Sequence, residues 1–288
     1  MCVLRGGRLS ESVGIVARLD REEAVNLALK IFKHFKAHGF EVFLEPNLAE
    51  QLDMKHLARK LEDMRVNLIV TIGGDGTILR TCLRIPKPEP PILAIGMGAR
   101  GFLAEAQPEE AIEAVNRYLE GSYNIETYSK IASFIGDSRL PDALNEVFVT
   151  SRHLAKILHV RIWKDNEEVA ECKADGVIVA SQVGSTAYSF SSGGPILDPG
   201  VDALVLTPVC PVSLFRPIVF PSSSSITLDL LKPRSAIIVI DGDYQVNLGD
   251  GEVRVIMRVS EHKSRFIRFE TNFYRRLKSR LLFSREEG

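Results

Sequence analysis

The sequence predicts an α/β protein with a doubly wound N-terminal α/β domain and a mostly antiparallel, β-sandwich-like C-terminal domain. Three observations carry this expectation. Short apolar runs alternate with amphipathic helical stretches up to about residue 122, and from there short β-type segments recur, separated by turn residues. The apolar run Leu68-Ile69-Val70-Thr71-Ile72 also passes directly into Gly73-Gly74-Asp75-Gly76-Thr77, a strand end at which doubly wound folds bind their ligands.

Val13 to Ala17 is a short apolar strand. A helix over 21–38 follows, with Ala24, Leu27, Ala28, Ile31, Phe32 and Phe35 on one face and Gly39 as its stop. Phe40 to Leu44 is the second strand. Asp53 is placed to cap a helix carrying Leu57, Leu61 and Met64, which leads into a strand over 67–72. After the glycine turn a helix runs from Thr77 to Ile85. Pro86 to Pro91 stiffens the connection to the next parallel strand, Ile92 to Ile95. Pro108 then opens a helix that Gly121 ends. The β-type segments are Ala143–Thr150, Ile157–Trp163, Gly176–Ala180, Ile226–Leu231, Ala236–Ile240, Val253–Val259 and Phe266–Phe269, with turns at Lys164-Asp165-Asn166, Pro233 and Gly249-Asp250-Gly251. From Phe273 to Phe283 helical spacing returns, with Phe273, Leu277 and Leu281 on one stripe. The expected division is 1–122, 123–270, and a C-terminal helix over 271–288 that packs back on the first domain.

Composition narrows the classes of function. Of the 288 residues 45% are hydrophobic and 25% charged, as in a soluble globular protein. With 36 basic against 37 acidic residues there is no basic field to attract nucleic acid. No apolar run reaches the roughly 20 residues that span a bilayer, and Met1 to Glu11 lacks the apolar core of a secretory signal. Cys2, Cys82, Cys172 and Cys210 lie far apart without a Cys-x-x-Cys, a pattern that suits reduced thiols and a cytoplasmic enzyme.

The chemistry concentrates in three clusters. Consecutive glycines after a buried strand let backbone approach phosphates, and the helix N-terminus beyond them favours anions. Asp75 is out of place as an anion binder, so it points to a metal, a sugar hydroxyl or a proton in transit. The second cluster is Asp175-Gly176 followed by Gly184-Ser185-Thr186-Ala187-Tyr188-Ser189-Phe190-Ser191-Ser192-Gly193-Gly194-Pro195. It offers hydroxyls, one tyrosine and close-approach glycines to a nucleoside, although a Ser/Gly-rich β-turn has the same composition. It contains no Gly-x-Ser-x-Gly elbow. The third cluster, Asn145-Glu146, can read an adenine edge and a ribose diol, and is also a common strand-end pair.

Other motifs read as structural. Gly96-Met97-Gly98-Ala99-Arg100-Gly101 matches Gly-x-Gly-x-x-Gly, but no helix opens directly after it, as the dinucleotide fingerprint requires. His34 and His38 are one helical turn apart without a third ligand, which fits a solvated helix face better than zinc. Arg275, Arg276, Lys278 and Arg280 read as the wet side of an amphipathic helix.

Together, Gly73-Gly74-Asp75-Gly76-Thr77, Asn145-Glu146 and Asp175-Gly176 with Gly184-Ser185-Thr186-Ala187-Tyr188-Ser189 resemble the ATP- or polyphosphate-dependent NAD kinases, particularly archaeal ones. Arg216-Pro217-Ile218-Val219 and Asp241-Gly242 extend the resemblance, which runs from about Val13 to the C-terminal helix. The glycine turn alone is shared with lipid kinases and, in variant form, with phosphofructokinases. The resemblance implies phosphoryl transfer to the 2′-hydroxyl of the adenosine ribose of NAD, with Mg²⁺ or another divalent cation accompanying the donor. The first domain would handle the phosphoryl donor and the second would bind NAD. Asp75 would accept the hydroxyl proton, with Gly76 beside it and Arg80 facing the nucleotide. Asn145, Glu146, Asp175, Thr186, Ala187, Tyr188, Ser189, Phe190 and Ser191 would hold NAD, and Lys156 and Lys173 stand where the family often has a basic or polar group. No metal ligands are assigned. The family's homodimers or homotetramers imply the same here, with the NAD site near a subunit contact.

The chain departs from the family at Val183, where Thr or Ser is usual, at Gly96 for Asn, at Val212 for His, and at Asp243 for Gln. Three alternatives stay open on the residues alone. They are a kinase for a lipid or sugar hydroxyl, a non-catalytic NAD(P)-binding module, and a dehydrogenase suggested by the Gly96–Gly101 match.

Overall fold

The computed structural model describes residues 11–98, 101–153, 156–231, 236–249, 253–270 and 273–281. The chain forms two compact units, one of Met1–Thr127 with Arg265–Gly288 and one of Tyr128–Ser264.

In the first unit, strand β1 (Ser12–Ala17) leads to helix α1 (Glu22–Ala37), β2 (Glu41–Leu44), helix α2 (Pro46–Gln51), β3 (Leu68–Gly73), helix α3 (Asp75–Arg84), β4 (Ile92–Gly96) and helix α4 (Ala111–Leu119). The strands are parallel in the order β2-β1-β3-β4, with Val13 opposite both Val42 and Leu68, and Ile69 opposite Ile92. β1, β3 and β4 are buried at every residue, which is why they read as continuous apolar runs. Ala24, Ala28, Ile31 and Phe35 of α1 and Ala111 and Val115 of α4 pack with Val13, Ile15, Val70 and Ile72 in one core. Because β2 and β3 lie on opposite sides of β1, the order reverses between β1 and β3, where α/β sheets place ligands. The turn after β3 holds the glycines and Asp75.

Two expectations here are corrected. The helix expected after Asp53 lies earlier, at α2, where Pro46 presets the first helical φ. Asp53 ends it in the left-handed region at φ 55°, a conformation open to aspartate and closed to helix continuation. Arg59 N–H then bonds Leu44 C=O and Ala58 bridges Leu44, holding the chain along β2. Only 3₁₀ turns remain, at Lys55–Leu57 and Leu61–Asp63, so the helical spacing of Leu57, Leu61 and Met64 misled. Second, α3 begins at Asp75 rather than Thr77, with extended Gly74 as its cap residue.

The second unit is antiparallel apart from its short helical turns. Its elements, of which β5 and β16 reach across the unit boundaries in sequence, are β5 (Asn124–Ile135), β6 (Ser138–Arg139), β7 (Glu146–Ser151), β8 (Leu158–Lys164), β9 (Glu167–Ala174), β10 (Gly176–Ala180), helix α5 (Tyr188–Ser191), β11 (Ala203–Val209), β12 (Ile218–Pro221), β13 (Ile226–Leu230), β14 (Ala236–Ile240), β15 (Tyr244–Asn247) and β16 (Val253–Arg268). One sheet runs β12-β11-β10-β7-β14-β15, and β13 pairs with β8 and β16 in another, with β9 beyond β8. β16 is a single strand rather than the two segments expected, because its polar stretch still alternates, with Glu261 and Lys263 exposed, His262 partly covered and Ser264 buried. The expected turns at Pro233 and Asp250-Gly251 and the residues after Leu281 lie outside the described residues. Helix α6 (Phe273–Leu281) belongs to the first unit, where Phe273 packs edge-on against Phe102 with ring centroids 5.3 Å apart. No helix among the described residues is long and apolar enough to cross a membrane.

Candidate active site

In the first unit the site is organised around Asp75. Gly73 has no room for a side chain, since a Cβ would fall on Thr77 and come within 3.3 Å of Arg18 Cβ. The tight turn closes with Thr77 N–H bonding Gly74 C=O at 3.0 Å. Asp75 is the first residue of α3, and Gly76 follows it with open space where a Cβ would stand. The Asp75 carboxylate turns towards the segment after β4, accepting hydrogen bonds from Phe102 N at 3.1 Å and Leu103 N at 3.2 Å. Gly101 lies so close that a Cβ there would overlap Asp75 Oδ1. Arg80, farther along α3, forms a two-pronged pair with Glu45 at the end of β2, its NH2 2.9 Å from Glu45 Oε2.

In the second unit the organising residue is Asp241. Its buried carboxylate accepts hydrogen bonds from three successive amides, Leu144 N at 2.7 Å, Asn145 N at 2.8 Å and Glu146 N at 3.0 Å. Burial pushes its pKa up to about 6; the three amides and the charge of Lys130 pull the other way. Asp241 at φ 48° and Gly242 at φ 71° form the turn that aims this carboxylate. Asn145 and Glu146 therefore sit at a backbone clasp at the start of β7.

The serine-rich cluster joins the same structure. It is a 3₁₀ turn over Val183–Thr186 followed by α5, in place of the β-turn that its composition also fits. Local bonds explain the difference. Ser185 Oγ donates to Gln182 C=O at 2.6 Å and Thr186 Oγ1 to Val183 C=O at 3.0 Å, tightening the chain into helical turns. Ser181 N bonds Asn145 C=O, Ser181 Oγ bonds Leu144 C=O, and Gly184 packs so closely on the Asn145 backbone that a Cβ would overlap it.

The side chains of this cluster differ in what they offer. Tyr188 is 41% exposed and edge-on to Phe148, while Phe190 is 40% exposed and Ser191 also faces outward. The Tyr188 pKa is raised, first by burial and then by electrostatic repulsion from acidic neighbours. Thr186 and Ser189 are buried, and Ser189 Oγ is bonded to Thr207 Oγ1 at 2.8 Å. Asp175 is set by its N–H to Val209 C=O. Lys173 lies exposed on β9, its carbonyl accepting from Val212 N–H, and Lys156 is exposed just before β8.

Sequence reasoning named Gly101 and Asp241 but missed what holds these groups: Gly101, Phe102 and Leu103 for Asp75, and the Asp241 carboxylate for Asn145 and Glu146. A glycine before an apolar pair in a strand-to-helix connection was the available signal for the first set. The Gly96–Gly101 match is not a dinucleotide fingerprint, because the next helical turn begins at Pro108; Ala99 and Arg100 lie outside the described residues. His34 bonds Asn116 and His38 bonds the His34 carbonyl, and no group of three or more His, Cys, Asp or Glu among the described residues is arranged to hold a metal.

Comparison with known proteins identifies the family. The model of the ATP-NAD kinase N-terminal domain matches residues 13–123 and that of the ATP-NAD kinase C-terminal domain matches 144–269. The chain is 42% identical to an NAD kinase of Methanothermobacter thermautotrophicus over 94% of its own length and 96% of that protein. It is 38% identical to an NAD kinase of Thermococcus sibiricus, covering 91% and 95%. Among solved structures, an Archaeoglobus fulgidus NAD kinase in complex with ATP superposes with a TM-score of 0.78 at 29% identity, over 93% of this chain and 99% of that one. Yeast NADH kinase complexed with NADH shares the fold, with a TM-score of 0.86 at 24% identity over 97% and 89%. Two matching domain models in order and relatives aligned end to end place the turn around Asp75 and the Asp241 clasp in one enzyme family: the chain belongs to the NAD kinases.

Proposed function

We propose that this protein transfers a phosphoryl group from ATP, or from polyphosphate, to the 2′-hydroxyl of the adenosine ribose of NAD, giving NADP. The observation that carries the reading is the Asp75 carboxylate, fixed at the N-terminus of α3 by two backbone N–H groups at the switch point of a parallel sheet. Phosphoryl transfer asks a protein mainly for positioning and charge neutralisation, with a carboxylate to orient the attacking hydroxyl. Asp75 takes the 2′-hydroxyl proton as the new oxygen–phosphorus bond forms and the bond to the leaving group breaks, ADP from ATP or the shortened chain from polyphosphate. Gly76 leaves space beside it, and Arg80, prepositioned by Glu45, faces the nucleotide.

The first unit handles the donor and the second binds NAD. Asn145 and Glu146 read the adenosine edge and ribose, while Asp175, Tyr188 and Ser191 supply further polar contacts. Thr186, Ala187, Ser189 and Phe190 shape that surface, and Lys156 and Lys173 border it. A divalent cation such as Mg²⁺ fits as part of the donor complex, since it binds through one or two carboxylates, waters and substrate phosphates rather than a protein cage. The donor's phosphates and waters would hold the cation, which would neutralise phosphate charge. A homodimer or homotetramer is part of the proposal. Free Cys172, buried, and free Cys210, exposed, support a reducing, cytoplasmic setting. Incubation of purified protein with NAD, Mg²⁺ and either ATP or polyphosphate tests the reading by NADP formation. Absence of product with both donors overturns it.

A further inference from the structure

Asp75 is held by backbone, so whatever fixes that backbone fixes the carboxylate. Leu103 donates its N–H to Asp75 Oδ1 and gives its carbonyl to Arg268, whose NH1 lies 2.9 Å from Leu103 O. The same guanidinium bonds Glu105 Oε2 at 3.1 Å and, through Nε, Glu126 Oε2 at 2.7 Å. Glu105 in turn accepts Phe269 N–H at 2.7 Å and the Arg276 guanidinium at 3.4 Å. Arg268 and Glu105 side chains are only 5% and 2% exposed. Burying such charges is costly unless every lone pair and proton is matched, and apolar residues of similar size often serve stability as well. A fork of fixed donors that reaches one peptide carbonyl and two carboxylates at once offers something an apolar pair lacks, namely a defined position for the Leu103 peptide.

We infer that Arg268 is a positioning residue for phosphoryl transfer. With Glu105 it locks the Gly101–Glu105 segment so that the Phe102 and Leu103 amides hold Asp75 in the orientation that accepts the hydroxyl proton. The inference rests on the reading of Asp75 as the base. Phe102 is pinned on its other side by Phe273 and lies beneath the Arg276 guanidinium, so the end of β16 and α6 grip the segment together.

Arg268→Lys is the test, because it keeps the charge and the burial while losing the fork. The expected result is an unchanged fold by circular dichroism and a kcat lower by roughly 10- to 100-fold, the scale of a displacement of about 1 Å at a catalytic group. KM values for NAD and ATP should stay within about threefold. Placed in an Asp75→Asn background, the same substitution should lower kcat no further, since Arg268 acts through Asp75. A folded Arg268→Lys protein with kcat within about twofold of wild type overturns the inference, as does a loss that is fully additive with Asp75→Asn. Should Arg268→Lys fail to fold, Glu105→Gln is read by the same criteria. If the wild-type protein makes NADP and Asp75→Asn is as active as wild type, it is the assignment of the base that has failed.

Discussion

Gly101 and Asp75 occupy complementary space: the position a Cβ would take on Gly101 is filled by Asp75 Oδ1. The carboxylate therefore leans directly on backbone, and the Phe102 and Leu103 amides meet it at 3.1 and 3.2 Å. Gly101→Ala adds a single methyl group and must push one partner away. We expect kcat to fall by roughly 10- to 100-fold with the melting temperature lowered by only a few degrees. Steady-state kinetics and thermal unfolding of the one variant check both. Wild-type kcat in a folded Gly101→Ala protein would show that the close contact has no role in turnover.

Asp75→Asn probes the same carboxylate chemically. Two N–H donors converge on Asp75, one on each oxygen, and an amide presents only one oxygen. One of the Phe102 and Leu103 amides loses its acceptor, at about 1–3 kcal/mol if it stays dry. The variant also cannot take a proton from the acceptor hydroxyl. The expected outcome is a kcat lower by at least about 100-fold, with NAD affinity by calorimetry within about threefold of wild type, because Asn145 and Glu146 are untouched. Near-normal kcat would refute the general-base role.

How much of this was legible in the sequence depends on what each residue needs. β1, β3 and β4 were readable because strands buried on both faces leave continuous apolar runs, and the glycine turn was readable because only glycine tolerates the approach at Gly73. β9 was not, since Glu167 to Ala174 is an edge strand with half of its side chains exposed and only the small Cys172 and Ala174 buried, which leaves no bulky apolar run to mark it. The α2 region was misread because Leu61 and Met64 are buried at helical spacing on 3₁₀ turns. Asn145, Glu146 and the 184–191 cluster could be named from sequence pattern. Their attachment through Ser181, Gly184 and Asp241 could not, because those contacts join positions up to 97 residues apart.

Gly184 makes a second close approach that can be tested alone. It stacks on the Asn145 backbone where a Cβ would overlap the carbonyl oxygen and carbon, and backbone on both sides cannot yield as a flexible side chain would. Gly184→Ala should separate the serine-rich turn from Asn145. Its expected signature is KM for NAD raised by at least about tenfold, with KM for ATP changed by less than about threefold, since donor handling is assigned to the other unit. Equal increases in both constants would count against the assignment of this turn to NAD.

Asp241 supplies the pH prediction. Its pKa is raised from the ordinary 3.8 to about 6, with burial as the largest cause, against the Leu144, Asn145 and Glu146 amides and the Lys130 charge. Between about pH 4 and pH 6 the folded protein therefore holds a proton that the unfolded chain has released. The stability linked to this proton is fully present below pH 4 and is lost as pH rises through about 6. Each pH unit between the ordinary and the raised pKa corresponds to about 1.4 kcal/mol. Asp241→Asn removes the titration, and it also leaves three converging amides with a single acceptor oxygen, so the variant should be less stable at every pH. The melting temperature of wild type minus that of Asp241→Asn should shrink between pH 4 and pH 6 and stay constant above about pH 7. Thermal unfolding of both proteins across that range is the measurement. A difference that stays flat or widens with pH would mean that the Asp241 carboxyl is already ionised throughout, held so by the three amides and Lys130.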